Sequence, residues 1–173
     1  TIRRVHRDIQ LLAIDLDGTT VQHDTEISPR VLATLRRAMD AGVRVVIATG
    51  RNIPGVRHFA ERMGIGGPAI AQQGGLIFDL DTGVELRRLH LPHALACELV
   101  GLEHARPDLH TVLYKHDRLF VTNAEYFAAS AHLVGFAPTH APDLCAVIAS
   151  EDPDKVLFMV EPEQTASVLT EIT

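Results

Sequence analysis

The chain has 173 residues, 46% of them hydrophobic, with a formal net charge of −6 and a pI near 5.9. This length fits one domain or one and a half small ones, and the apolar content is enough for a sizeable core. The acidic balance argues against a nucleic-acid partner, no stretch approaches transmembrane length, and the charged start does not read as a signal peptide, so a cytoplasmic setting is expected.

Residues 1–10 are a polar lead-in, and 11–15 read as a first, buried strand ending at acidic residues. Residues 16–26 form a loop. Ser28-Pro29 starts a helix, with Ser as N-cap and Pro at the first helical position. Val31, Leu32, Leu35, Ala38 and Met39 recur on one helical face, Arg30, Arg36 and Arg37 face out, and Gly42 ends the helix. Residues 43–48 are a β-branched run, the second strand. Strand, helix, strand in about 35 residues is a βαβ unit, hence a parallel pair. Asn52 to Pro54 open a second helix, with Val56, Phe59, Ala60 and Met63 on its apolar face. A third strand covers 69–73, and a β-hairpin covers 76–78 and 84–86 around the turn 79–83.

From Leu89 the pattern changes. A helix over 92–106 carries Leu95, Leu99 and Leu102 on one face. Residues 111–114 and 119–122 read as antiparallel strands around the turn 116–118. A short helix over 124–133, strands over 145–149 and 156–160, and a last helix over 163–172 complete a small α+β domain. The expected division is 1–88 and 89–173. No Gly-x-Gly-x-x-Gly or Walker-type loop occurs, which disfavours a nucleotide-binding Rossmann domain or P-loop. The ten His are scattered without a helical i, i+4 pair beside an acid, against a zinc site. Cys97 and Cys145 form no Cys-x-x-Cys motif and read as free buried thiols.

The chemistry concentrates at Asp15-Leu16-Asp17-Gly18-Thr19. Asp15 and Asp17 lie two apart, so in a regular strand both point to one face. Two carboxylates that close repel unless a proton or cation lies between them, and a hard divalent cation such as Mg2+ prefers oxygen ligands. A solvated Asp pair in an acidic turn is the rival reading. Gly18 permits a sharp turn and Thr19 can close it.

Asp15-Leu16-Asp17-Gly18-Thr19 after an apolar strand resembles the first motif of the haloacid dehalogenase-like hydrolases. Ala48-Thr49-Gly50-Arg51 after the second strand is similar to their second motif. The pairing most resembles the Cof-type, large-capped branch, mostly Mg2+-dependent phosphatases of small phosphorylated metabolites. The resemblance implies an α/β fold: a Rossmann-like parallel core sheet, partial here, with an α+β cap domain from Leu89 onward. It implies Asp15 as nucleophile and Mg2+ ligand, and Asp17 as general acid/base with its backbone carbonyl on the metal. It further implies phosphate binding by the Leu16 backbone, the Thr49 hydroxyl, the Gly50 backbone and Arg51. Gly74 and Gly75 are candidate substrate contacts, with Gln73 standing where the family usually shows Asn. The implied partner is a small-molecule phosphate ester.

Plainer readings stand beside these. Thr49 could cap the next helix, Arg51 could be a solvated helix-start residue, and His23 reads as a solvated turn residue. A phosphomutase of the same superfamily and a non-catalytic binding module are alternatives. A phosphorelay receiver would need a lone Asp at a later strand end, where Ala48-Thr49-Gly50 stands instead.

The family pattern also includes a Lys after the cap and a later acidic Gly-Asp loop. Only Lys115 and Lys155 occur, both in the cap-like region. Lys155 and Glu161 mimic the missing pair without room for the separating helix. The expectation is therefore a chain that stops inside the cap, with a core sheet exposing an apolar edge. Tyr114 to Arg118 and the loop 136–143 are the candidate pocket-lining parts of the cap.

Overall fold

A computed structural model describes residues 9–22, 26–125, 127 and 138–172. The lead-in 1–8, His23 and most of the helix expected over 124–133 lie outside the described residues. The chain divides into two compact units, Thr1–Arg88 and Leu89–Thr173.

In the first unit β1 (Leu11–Ile14) pairs in parallel with β2 (Arg44–Ile47) through α1 (Pro29–Asp40). The Ser28 hydroxyl accepts from the Val31 N–H at 3.3 Å, Pro29 sits in the first turn, and Gly42, at φ 86°, takes the chain out. α2 (Ile53–Met63) is capped by Asn52 and ends at Gly64, φ 70°. Its expected stripe, Val56, Phe59, Ala60 and Met63, is wholly buried. Each of the larger three stabilises the unit by roughly 1.5–3 kcal/mol. β3 (Pro68–Ala71), β4 (Leu76–Asp79) and β5 (Glu85–Arg88) form an antiparallel meander. A parallel bridge, Ala48 to Ile70, joins β2 to β3.

β1 departs from expectation. It was expected to be buried, yet Leu11 is 55% and Leu12 38% exposed, and Ile9 before it 66%. Among the described residues β1 pairs only with β2, so it is an edge strand with apolar side chains in the open. The expected apolar edge is thus present.

Among the described residues the second unit has its own four-stranded sheet. β6 (His110–Lys115) is central, flanked by β7 (Arg118–Val121) and β9 (Lys155–Met159), both antiparallel to it. Residues 139–140 form the two-residue strand β8, parallel to β7 and not foreseen. Leu113 packs towards α3 (His93–Ala105) and α4 (Leu144–Ile148), while Val112 and Tyr114 pack with Leu119, Val121 and Phe127. This is strand alternation on a sheet covered on both faces. α5 (Thr165–Ile172) ends the described chain.

Two expectations fail here. Residues 145–149 are not a strand: 145–148 belong to α4 and Ala149 is its C-cap, because the Asp143 carboxylate accepts from the Cys145 and Ala146 N–H groups at 2.9 and 3.2 Å. That cap sets a helical period in which Leu144 and Ile148, four apart, are both buried. On α3 the buried stripe is Ala96 and Val100, and Leu95 is 42% exposed. The helix is apolar nearly all round, so its periodicity selects no face, and the small Ala96 side chain allows close approach.

The core assigns different weights to neighbouring leucines. Leu16→Ala, at a fully buried position, should lower stability by about 2–5 kcal/mol, whereas Leu11→Ala should change it by less than about 0.5 kcal/mol. Urea unfolding of the two variants beside the parent chain checks this, and equal effects would refute the packing described.

Candidate active site

The carboxyl ends of β1, β2 and β3 lie side by side because the backbone at β2's end bonds both ways. Ala48 N–H donates to Ile14 O at 2.8 Å, and Thr49 N–H donates to Ile70 O at 3.0 Å. Asp15, directly after β1, and Thr49, after β2, thereby reach one shallow pocket of about 340 Å³, whose wall also includes Ala48, Gly50, Ile70, Gln73 and Gly74.

The loop after β1 is closed by its own backbone. Leu16 O accepts from the N–H groups of Thr19, Thr20 and Val21 at 3.3, 3.0 and 2.7 Å, while Gly18, at φ 71°, donates to Val21 O at 3.0 Å. A side chain at that φ would be strained, so glycine suits the turn. The Thr20 hydroxyl donates to Asp15 O at 2.5 Å. Leu16 is fully buried and plugs the core, so only its backbone is available to a ligand.

Asp17 is exposed, and its carboxylate is held by Arg51. Arg51 Nε donates to Oδ2 at 2.9 Å and Nη2 to Oδ1 at 2.6 Å, a fork geometry. The guanidinium also lies 4.8 Å from the Phe59 ring centroid, and its side chain is only 17% exposed. Arg51 is therefore not a solvated helix-start residue: its guanidinium holds the Asp17 carboxylate. Because Asp17 is 57% exposed, the pair contributes on the order of 1 kcal/mol at most to stability, and its main effect is direction.

Thr49 is 5% exposed and does not cap α2, since Asn52 does so through its carboxamide oxygen on Gly55 N–H at 3.3 Å. Its hydroxyl accepts from Arg51 N–H at 3.4 Å and lines the pocket. Past β3 the chain turns through Gln72 (φ 50°), Gln73 (φ 53°) and Gly74 (φ 93°). Two non-glycine residues in the left-handed region cost about 1–2 kcal/mol each. They are held there by Gln72 N–H on Arg51 O at 2.9 Å and Gln73 N–H on Thr49 O at 3.1 Å. Gly74 lines the pocket and Gly75 does not. Gln73 is the site residue that sequence reasoning passed over, having read it only as a departure from Asn.

Among the described residues no group of three His, Cys, Asp or Glu is arranged to hold a metal. Mg2+ does not need such a cluster, since it commonly takes one or two carboxylates together with water and substrate oxygens. The Asp15 carboxylate and the oxygens of Asp17 are hard donors of that kind, so the residues fit the ion.

Both lysines lie in the second unit. Lys115 is buried and donates to Val147 O at 2.8 Å and Ser150 Oγ at 2.6 Å, closing the end of α4. Lys155 stands 4.1 Å from the Tyr114 ring centroid, and burial pulls its ammonium below the usual lysine range. Glu161 is exposed at the start of the turn Pro162–Gln164. His116 ends β6 in a φ 52° turn and pairs with Glu151 at 2.8 Å. Cys97 and Cys145 are free and half-buried on one cluster. Burial, the neighbouring Cys97 thiol and the Asp143 carboxylate push the Cys145 thiol up.

Among known proteins, the family model of the haloacid dehalogenase-like hydrolases matches residues 12–173. The 5-amino-6-(5-phospho-D-ribitylamino)uracil phosphatase YcsE of Bacillus subtilis (strain 168) is 37% identical over 94 residues, 54% of this chain and 38% of its own. The pyridoxal phosphate phosphatase YbhA of Escherichia coli (strain K12) is 28% identical over 112 residues, 64% of this chain and 40% of its own. A crystal structure of a haloacid dehalogenase-like hydrolase from Bacteroides thetaiotaomicron superposes with a TM-score of 0.79 at 25% identity, covering 94% of this chain and 62% of that one. The chain thus spans less than two thirds of these relatives' lengths. With both motifs at the ends of adjacent strands, the chain belongs to the haloacid dehalogenase-like hydrolases.

Proposed function

We propose that the protein to which this chain belongs is a Mg2+-dependent phosphatase of small phosphorylated metabolites, a sugar phosphate or a similar ester, working through an aspartyl-phosphate. The observation that carries this reading is the convergence of Asp15, Thr49 and Gly50 on one pocket at the strand ends. The named relatives, which are phosphatases of a phosphoribitylamino-uracil and of pyridoxal phosphate, support the substrate class. Residues 89–173 are proposed as the substrate-selecting cap, supported by their separate sheet.

In this reading a carboxylate oxygen of Asp15 attacks phosphorus. A new P–O bond forms to Asp15 as the ester P–O bond breaks, and Asp17, protonated for this step and so no longer held through both oxygens by Arg51, gives its proton to the leaving oxygen. Water then attacks the aspartyl-phosphate, Asp17 takes the water's proton, and inorganic phosphate leaves with Asp15 free. Thr49 offers its hydroxyl and Gly50 its backbone N–H to the phosphoryl oxygens. Asp15 and the backbone carbonyl of Asp17 would hold Mg2+, which when bound offsets charge on the phosphoryl group. Arg51 keeps the Asp17 carboxylate at a fixed orientation, a positioning role.

In the full-length protein Asp15→Asn should remove turnover of an aryl phosphate, by more than about 10³-fold, without loss of fold by circular dichroism. Asp17→Asn should cost about 10²–10⁴-fold and permit accumulation of acid-stable phosphoenzyme. Chelation should abolish wild-type turnover and Mg2+ should restore it. An Asp15→Asn protein with near-normal turnover would sink the assignment.

Arg51→Lys should be damaging despite conserved charge, because an ammonium cannot form the two-toothed contact with Asp17 or cover Phe59 in the same way. The expected change is about a tenfold fall in kcat with KM for the aryl phosphate nearly unchanged. A rise in KM alone would instead place Arg51 on the substrate phosphate.

A further inference from the structure

We propose that Gln73 is a phosphate-binding residue whose side-chain N–H donates to a phosphoryl oxygen of the ester bound beside Asp15. The inference rests on the phosphatase reading and adds to it a ligand that neither motif contains.

Three observations converge. Gln73 sits at φ 53°, ψ 34°, a conformation that glycine adopts without cost and glutamine does not. A strained residue that the surrounding structure over-determines is a common feature of ligand sites. Here the over-determination comes from the site itself, through Gln73 N–H on Thr49 O at 3.1 Å.

The second observation is the room kept for the side chain. A Cβ placed on Gly50 would lie 2.8 Å from Gln73 Nε2 and 3.1 Å from its Cδ. The Gly50 backbone is not in the left-handed region, so its conformation does not demand glycine. The missing side chain instead leaves space for the Gln73 carboxamide over the segment whose backbone faces the pocket. Thirdly, Gln73 lines that pocket together with Asp15, Thr49 and Gly74.

The chemistry of the group fits the place. A carboxamide presents N–H donors to phosphoryl oxygens without a formal charge. It therefore adds direction beside Asp15 and does not compete with a cation for that carboxylate. A glutamate of the same shape would set a negative charge against the phosphate.

The test uses the full-length protein, an aryl phosphate as substrate and inorganic phosphate as competitive inhibitor. Gln73→Leu should raise both KM and the phosphate inhibition constant about tenfold, with a smaller change in kcat, as loss of one hydrogen bond to a charged group requires. Gln73→Glu should raise both by more than about a hundredfold. Gln73→Gly should melt no lower than wild type, since it relieves the left-handed residue, and still bind phosphate weakly. That pairing of undiminished Tm with lost affinity separates a ligand role from a packing role. Wild-type KM and inhibition constants in the folded Leu and Glu variants would overturn the inference, as would losses that follow Tm across the set. Asp15→Asn, run in parallel, separates the two claims. If it retains turnover, the phosphatase reading falls and this inference with it. If it is inactive while the Gln73 variants behave as wild type, only the role of Gln73 falls. A wild-type protein that phosphate does not inhibit overturns both.

Discussion

Two successive backbone bonds at the end of β2 set the geometry on which the site depends. Ala48 N–H goes to β1 and Thr49 N–H goes to β3, so the three strands finish level with one another. Successive residues of a strand point their hydrogen-bonding groups to opposite edges, and the parallel register carries that rule directly into a catalytic arrangement. Asp15 and Thr49 are 34 residues apart in the chain, yet Asp15 directly follows Ile14, which accepts one of these bonds, and Thr49 donates the other. In an open α/β sheet the cleft outside the carboxyl ends is where ligands bind, and here the seam is what makes the cleft a single place.

The seam needs an anchor on the β1 side, where the strand has one partner among the described residues and exposed apolar side chains. Leu16 supplies it. Its side chain is fully buried in the first unit's core, and its carbonyl gathers three N–H groups of the following turn. The two acids on either side of it are consequently fixed by a residue with no chemistry of its own. The same division of labour holds after β2, where Thr49 and Gly50 face the pocket while Arg51 turns away to Asp17 and Phe59.

Much of this was legible in the residues, for identifiable reasons. α1 and α2 carry caps and single apolar stripes, so local propensity and packing agree. The boundary at Leu89 showed as a change from βαβ spacing to short strands. What escaped the sequence depends on contacts between distant positions. The exposure of β1 is a matter of which neighbours it has, and a run of Leu and Ile reads the same with one partner as with two. α4 was misread because Val and Ile weigh towards strand, while the Asp143 cap decides the matter through two hydrogen bonds. The contact of Arg51 with the Asp17 carboxylate, brought near by the fold, could not be read from its position. A glutamine carries no sign of a positive φ, so the Gln72-Gln73 turn was invisible until Thr49 and Arg51 were seen to hold it.

The charges around the pocket bear on its chemistry. Asp15 and Asp17 are two carboxylates on one loop, and the guanidinium of Arg51 is bound by both its teeth to Asp17 alone. Lys115 is engaged by Val147 and Ser150 in the second unit, and Lys155 by the Tyr114 ring. Thr49, Gly50 and Gln73 offer neutral groups. A phosphate ester arriving at Asp15 would thus meet a carboxylate with little positive charge against it from the first unit. Neutral donors can orient phosphoryl oxygens, but they do little to reduce the repulsion between an anionic nucleophile and an anionic electrophile. In the proposed reading, a divalent cation held by Asp15 and the Asp17 carbonyl would offset that repulsion. The pairing of Arg51 with Asp17 serves the same end from the other side. It draws the second carboxylate towards a guanidinium and so leaves Asp15 as the carboxylate on the pocket wall.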